Sequence, residues 1–411
     1  MIQRSIRQIL VIVILLCSVN FFSLYFLGGY QTEKLINISG IFIIIFFIIL
    51  HIFYDNTQRF PSKFKLPIII IFIAVLLSMY VAFTIHRQSF IITAFAQRGI
   101  YFFLLYFLLH YFKLLPKQLE MIVVIFGVLF SICYIAQYFA FPTKLFEVRM
   151  WIERSTVRIF LPGLGFLTLA YFYSLNRFLI ENRLIFIIVC LFFLVVFFLY
   201  GTRQNLLAIL LITFLSPIIS RTVKSRVFLI FLIIISLISG YFIFQNIIND
   251  LISLSQYQIS QFEEDIRLKA AQYFIKDFSP DRLAAILGNG ESSEASDFGL
   301  FVRSIEDNYH FFQADIGLIG EYSKYGILFI LGVLIIIIRI LTRRLSSSMV
   351  YLKFYIFAII LTMFTGGGMF SNSDNVTVTC LIMYFVDVNN FEIKSEQIAE
   401  PGIFQGISNP V

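Results

Sequence analysis

A chain of 411 residues with 59% hydrophobic, 18% aromatic and only 13% charged residues, and a mean hydropathy of +0.90, lies far from the roughly 45–50% apolar and about 25% charged composition of soluble domains. That balance excludes an ordinary soluble fold and indicates an integral membrane protein. The net charge of +7 would point to nucleic acid in a soluble chain; here it is an orientation signal in short loops, and no nucleic-acid partner is expected.

In chain order, apolar runs predict spans at about 8–27, 36–54, 66–85, 92–112, 119–141, 159–178, 184–200, 204–220, 227–246, 313–339, 353–370 and 375–389. Each approaches the roughly 20 residues that cross about 30 Å of hydrocarbon as a helix. The alternation of a β-barrel is absent, so helices are what satisfies the backbone in lipid. Met1–Leu27 has a basic start and an apolar run but no small-x-small cleavage site, and is taken as the first span. The expected fold class is all-α, a polytopic membrane bundle of about 12 transmembrane helices with one large outer loop. Helices one to nine fall in 1–245 with a basic loop at 142–158, the large polar loop in 246–312, helices ten to twelve in 313–390, and a tail that reads as disordered in 391–411.

Orientation follows from the short loops. With the N-terminus inside, the cytoplasmic side collects Arg4, Arg7, Arg59, Lys63, Lys65, Lys113, Lys117, Arg177, Arg183, Arg221, Lys224, Arg226, Arg339, Arg343, Arg344 and Lys353. Both termini are then cytoplasmic. The opposite turns at 28–35 and 366–375 are nearly bare of Lys and Arg, but two outer loops are not. The 142–158 loop carries Lys144, Arg149, Arg154 and Arg158 beside the single tryptophan, Trp151, and the long loop adds Arg267, Lys269, Lys276, Arg282 and Arg303. Cations kept where insertion disfavours them indicate an anionic ligand on the outer face, with plain solvated charge as the alternative.

Within the long loop, Gln261–Phe278 has the spacing of an amphipathic helix: Phe262, Ile266, Ala270 and Phe274 recur at four, Tyr273 stands three beyond Ala270, and Arg267 lies beside that face. It is read either as a lid on the membrane surface or as a packing element over the bundle. Ser279-Pro280 ends it, and Leu287–Gly290 is a turn.

Arg203 follows Gly201-Thr202 between two apolar runs. It is either an arginine snorkelling to the interface or a bidentate clamp for phosphate or pyrophosphate. Arg267 and Arg303 are further donors that could instead pair with Glu263, Glu264, Glu306 or Asp307. His310 and Asp315, just before the tenth span, are the candidates for a general base, and a polar anchor is the other reading of His310. Gly317, Gly320 and Gly326 permit close packing, and Glu321 and Lys324 stand one (i, i+3) step apart and could simply pair. The four cysteines lie in apolar runs, which indicates neither a disulfide nor a metal site. No Walker loop, HExxH, GxSxG or DxD occurs, so neither metal nor cofactor is expected, and energy would come from an activated substrate or an ion gradient.

The late outer loop, Thr202-Arg203-Gln204 opening the span two before it, Arg267 followed by a G-x-G turn, and Asp315-x-Gly317-Leu318-Ile319-Gly320 with Gly326 beyond resemble the O-antigen polymerase and ligase superfamily of bacteria. The resemblance covers the organisation of the whole chain through short, degenerate motifs. It implies a GT-C-like glycosyltransferase architecture in the bacterial inner membrane. It also implies transfer of a glycan from undecaprenyl pyrophosphate to an acceptor sugar hydroxyl at the periplasmic face without a metal. Arg203 and Arg267 would then contact the lipid pyrophosphate, with Arg303, Arg154 and Arg158 completing a basic vestibule. The ligases' His-Asn, about eleven residues before a glycine, is matched from Gly326 by Asp315, with His310 five residues earlier. That departure favours an oligosaccharide repeat-unit polymerase. The implied partners are the lipid-linked oligosaccharide, the bilayer and a chain-length regulator. An O-antigen ligase, or a lipid-linked oligosaccharide flippase or transporter, is the alternative.

Overall fold

The computed structural model of the protein describes residues 4–25, 29–54, 62–153, 156–219 and 265–399. The expected span at 227–246, the start of the long loop with Phe262, Glu263 and Glu264, the cations Arg59, Arg154, Arg221, Lys224 and Arg226, and the last twelve residues of the tail lie outside the described residues.

Over the described residues the chain is mostly helical. It runs α1 (Arg4–Ser18), α2 (Tyr30–Tyr54), α3 (Lys65–Thr84), α4 (Phe90–Ala96), α5 (Leu105–Phe112, entered through a 3-10 segment Arg98–Leu104), α6 (Pro116–Ala140), α7 (Leu164–Glu181), α8 (Leu184–Tyr200) and α9 (Arg203–Ile219). After the undescribed stretch come α10 (Ile266–Lys276), α11 (Arg282–Leu287), α12 (Asp297–Tyr309), α13 (Leu318–Thr342), α14 (Tyr351–Thr362) and α15 (Ser373–Ala399). Among these residues four helices are long and apolar enough to cross a membrane, Thr32–Leu50, Lys65–Thr84, Pro116–Ala140 and Leu318–Thr342, and a bent pair makes a fifth. The other expected spans within the described residues correspond to shorter apolar helices or to helices with more polar residues. Phe42, Leu76, Ile132, Ile188 and Leu207 are exposed on the outside of the bundle, the apolar outer surface of a membrane protein. Inside, Phe102, Phe103, Tyr106, Phe126, Phe130, Phe166 and Phe172 are fully buried. α3 packs along α13, and α6 along α7.

Several expectations need correction. The span expected at 92–112 is broken: Phe90–Ala96 and Arg98–Phe112 meet at 70°. The polar triplet Gln97-Arg98-Gly99 interrupts the apolar run, and the Arg98 guanidinium donates to Phe95 O at 3.1 Å across the break. The fold expected to be all-α includes a strand pair, in the basic loop at 142–158. Met150–Glu153 (β1) and Thr156–Ile159 (β2) pair antiparallel with Trp151 opposite Arg158, as β-branched and aromatic residues favour. The tenth span begins at Leu318, after a 3-10 turn at Gln313–Ile316, because Gly317 takes φ +54 against the backbone of Met363. The tail expected to be disordered from 391 continues α15 as far as Ala399.

Contacts divide the bundle into two ends. At one, Arg7 donates to Phe112 O at 3.0 Å, Arg339 to Lys63 O, and Lys353 to Leu341 O at 2.8 Å. There too Arg177 pairs at 3.2 Å with the buried Glu120, which also accepts from Tyr351. The Lys/Arg-rich turns therefore share one end. At the other, Ser373 donates to Ser18 O at 2.7 Å, Gly163 N–H to Asp374 at 2.8 Å, and Leu318 N–H to Met363 O at 2.8 Å.

On this second end sits a helical cap formed by the described part of the long loop. Its helices start on side-chain caps, Asp265 accepting from Arg267 N, Asp281 from Ala284 N and Ser296 from Gly299 N. Ala270, Phe274, Phe278, Phe298, Val302 and Ile305 form its own core and share it with Ile316 of the bundle. The helix expected at 261–278 is thus present as Ile266–Lys276. Ala270 and Phe274 face inward, Ile266 is exposed, and the helix packs over α13 rather than standing apart from it. α11 packs on α13 as well, and Gly326 fits that contact: at φ +77 it kinks α13, with the backbone of Ile286 and Leu287 where a side chain would stand.

Candidate functional site

The cavity of about 710 Å³, within the usual size of a small-molecule site, lies at the capped end. Four helices begin at its wall: α7 at Leu164, α9 at Arg203, α13 just after Gly317 and α15 at Ser373. The helix dipole gives each start a partial positive charge. Arg98, Arg158, Arg203, Arg267 and Lys324 add full charges to the same wall.

Of the residues singled out by sequence, Arg158, Arg203, Arg267 and Asp315 meet here although up to 157 positions separate them (158 to 315). Arg158 arrives from β2, Arg203 from the first turn of α9 and Arg267 from the first turn of α10. Asp315, exposed on the 3-10 turn, joins them before α13. Arg154 lies outside the described residues. Two candidates lie elsewhere. Arg303 on α12 is exposed and approaches Asp307 at 3.8 Å and Glu294 at 3.9 Å. It pairs on its own surface because α12 turns its apolar face, not this side, to the bundle. His310 is the exposed C-cap of α12, with a left-handed backbone at φ +56. The cap fold carries it away from the cavity.

Other wall residues were not assigned to the site from sequence. Arg98 was hidden inside an expected span, and its signal was the Gln97-Arg98-Gly99 interruption. Lys324 does not pair with Glu321. It bonds Glu291 of the cap at 2.8 Å, and Tyr325 Oη donates to the other Glu291 oxygen at 2.6 Å. Glu321 is 3% exposed and accepts from Phe370 N–H and Ser371 Oγ–H. Asp374 accepts from Gly163 N–H.

The cap is held to the wall by two side chains of the α3–α4 turn. Gln88 Oε1 accepts from Ser293 N and Ser296 Oγ, and Gln88 Nε2 donates to Glu291 O at 2.7 Å. Asn289 donates through Nδ2 to Ser323 O and Ser279 Oγ, so its Oδ1 accepts from His86 Nε2–H at 2.9 Å. The His86 ring also stacks on Phe298, centroids 3.9 Å apart. Burial pushes the His86 imidazole below its ordinary value, with smaller opposing effects from the Asn289 bond and the Asp281 charge.

Chemically, the wall can neutralise a large anion with several guanidinium groups and helix starts, while its carboxylates accept from hydroxyls. No family model matches the chain, no curated protein matches it, and no solved structure matches it.

Proposed function

We propose that this protein is a membrane glycosyltransferase that polymerises lipid-linked oligosaccharide repeat units of O-antigen, capsule or exopolysaccharide at the outer face of a bacterial inner membrane. The observation that carries the reading is the meeting of Arg158, Arg203 and Arg267 with Asp315 in one cavity, at the end opposite the Lys/Arg-rich turns. By the orientation rule those turns are cytoplasmic, which makes the cavity end periplasmic. Undecaprenyl pyrophosphate is already an activated leaving group. The protein's tasks are then to stabilise the charge that develops on it and to align the acceptor hydroxyl. Planar guanidinium groups suit the first task and Asp315, as a hydrogen-bond acceptor for sugar hydroxyls, the second.

The test is the length of surface polysaccharide in a strain lacking the protein, complemented with wild type or Arg203→Ala. A single repeat unit on the lipid anchor in the deletion strain, and failure of the variant to restore the ladder, support polymerase. Full-length polymer left on undecaprenyl pyrophosphate points to ligase, and absence of periplasmic glycan to a flippase.

A further inference from the structure

One carboxylate of the cavity wall is built unlike the others. Glu321, in the first turn of α13, is 3% exposed yet borders the cavity. Its Oε1 is fixed by Phe370 N–H at 3.2 Å and Ser371 Oγ–H at 3.0 Å, while Oε2 is buried with no hydrogen-bond partner among the described residues. An unsatisfied buried acceptor destabilises a fold, more so when charged, and native structures hold few of them. Its neighbours are engaged differently: Glu291 by Lys324 and Tyr325, Asp374 by Gly163 N–H, while Asp315 is exposed to solvent.

We infer that Glu321 is the group that takes the proton of the acceptor sugar hydroxyl, an inference that rests on the glycosyl-transfer reading above. Two donors on Oε1 set the plane of the carboxylate and leave Oε2 as its one unpartnered acceptor, beside the cavity that Glu321 lines, which is the atom a general base would use. In the step, the acceptor oxygen forms its bond to the donor's anomeric carbon as the bond from that carbon to the pyrophosphate oxygen breaks. The electron pair leaves with undecaprenyl pyrophosphate, and the hydroxyl proton passes to Oε2 and then to water once product departs. Other charged and titratable groups of the same wall are Lys324 and Tyr325 on α13, Asp315 on the turn before it, Glu291 from the cap, Arg98 from the α4–α5 break and Asp374 at the start of α15. Lys324 and Tyr325 are both committed to Glu291.

The experiment uses full-length protein in liposomes supplied with undecaprenyl-pyrophosphate-linked repeat units. Extension rate is followed against pH for wild type, Glu321→Gln and Asp315→Asn, and thermal stabilisation by undecaprenyl pyrophosphate is measured on each. Gln keeps an oxygen for Phe370 and Ser371. Glu321→Gln is therefore expected to keep the stabilisation, to extend chains at least about 100-fold more slowly, and to lose the fall in rate toward acid pH. Asp315→Asn is expected to keep that acid limb whatever its rate. Wild-type rates in Glu321→Gln, an acid limb that survives in it, or loss of its stabilisation by the lipid would each overturn the role of Glu321 while leaving the transferase reading intact. A wild-type protein that extends no chain overturns the reading itself, and this inference with it.

Discussion

Arg203 sits at the first turn of α9, half-buried, with Gly201 behind it and the cavity in front. At that position a guanidinium offers two parallel donors to a pyrophosphate oxygen pair, and an ammonium offers a point charge. Arg203→Lys is therefore expected to insert normally and to lose chain extension by about 100-fold or more, the scale of removing one preorganised donor. Arg303 is the control. It is exposed and lies 3.8 Å or more from its carboxylate partners, and such surface pairs contribute at most about 1 kcal/mol. Arg303→Ala should leave the polysaccharide ladder unchanged; a shortened ladder would bring Arg303 back to the site.

At the scale of elements, the cap is joined to the bundle by polar contacts at the α3–α4 turn, by Glu291 and Asn289 bonded to the start of α13, and by Ile316. His86 stacks on Phe298 and donates one hydrogen bond to Asn289, a bond that either protonation state can make, while the half-buried place of the ring favours the neutral form. Because burial holds the folded imidazole below its ordinary value of 6.5, the unfolded or undocked chain binds more protons once pH falls to that value. Docking is thus fully stabilised above it and weakens as pH drops through the lower folded value. Hydrogen exchange in α11 and α12 should quicken as pH is lowered from about 7 toward 5 after correction for intrinsic rates, and His86→Gln should lack that response. Equal pH dependence in both proteins would remove His86 from the joint. The same scale explains the broken span. Apolar length made 92–112 look like one helix, whereas the chain turns by 70° at Gln97, Arg98 and Gly99, which brings Arg98 into the wall.

For the whole molecule, the turns rich in Lys and Arg and the capped cavity occupy opposite ends, so single cysteines introduced at Lys269 in the cap and at Arg344 beyond α13 should label from opposite sides of the membrane. Labelling of Lys269→Cys from the cytoplasm would invert the orientation and remove the periplasmic site. The apolar helices, their near positions and the gathering of cations in alternate turns were all legible in the sequence, because length and hydropathy are local properties that add along a segment. Arg158, Arg203, Arg267 and Asp315 were legible as candidates for a related reason: each is a charge set against an apolar background. Which charges share a cavity is not local. It depends on how helices far apart in sequence pack, and only that packing turned Arg303 and His310 outward and brought Arg98 and Lys324 in. It also separated Glu321 from the Lys324 that spacing offered it, holding one carboxylate oxygen on Phe370 and Ser371 and leaving the other buried without a hydrogen-bond partner among the described residues.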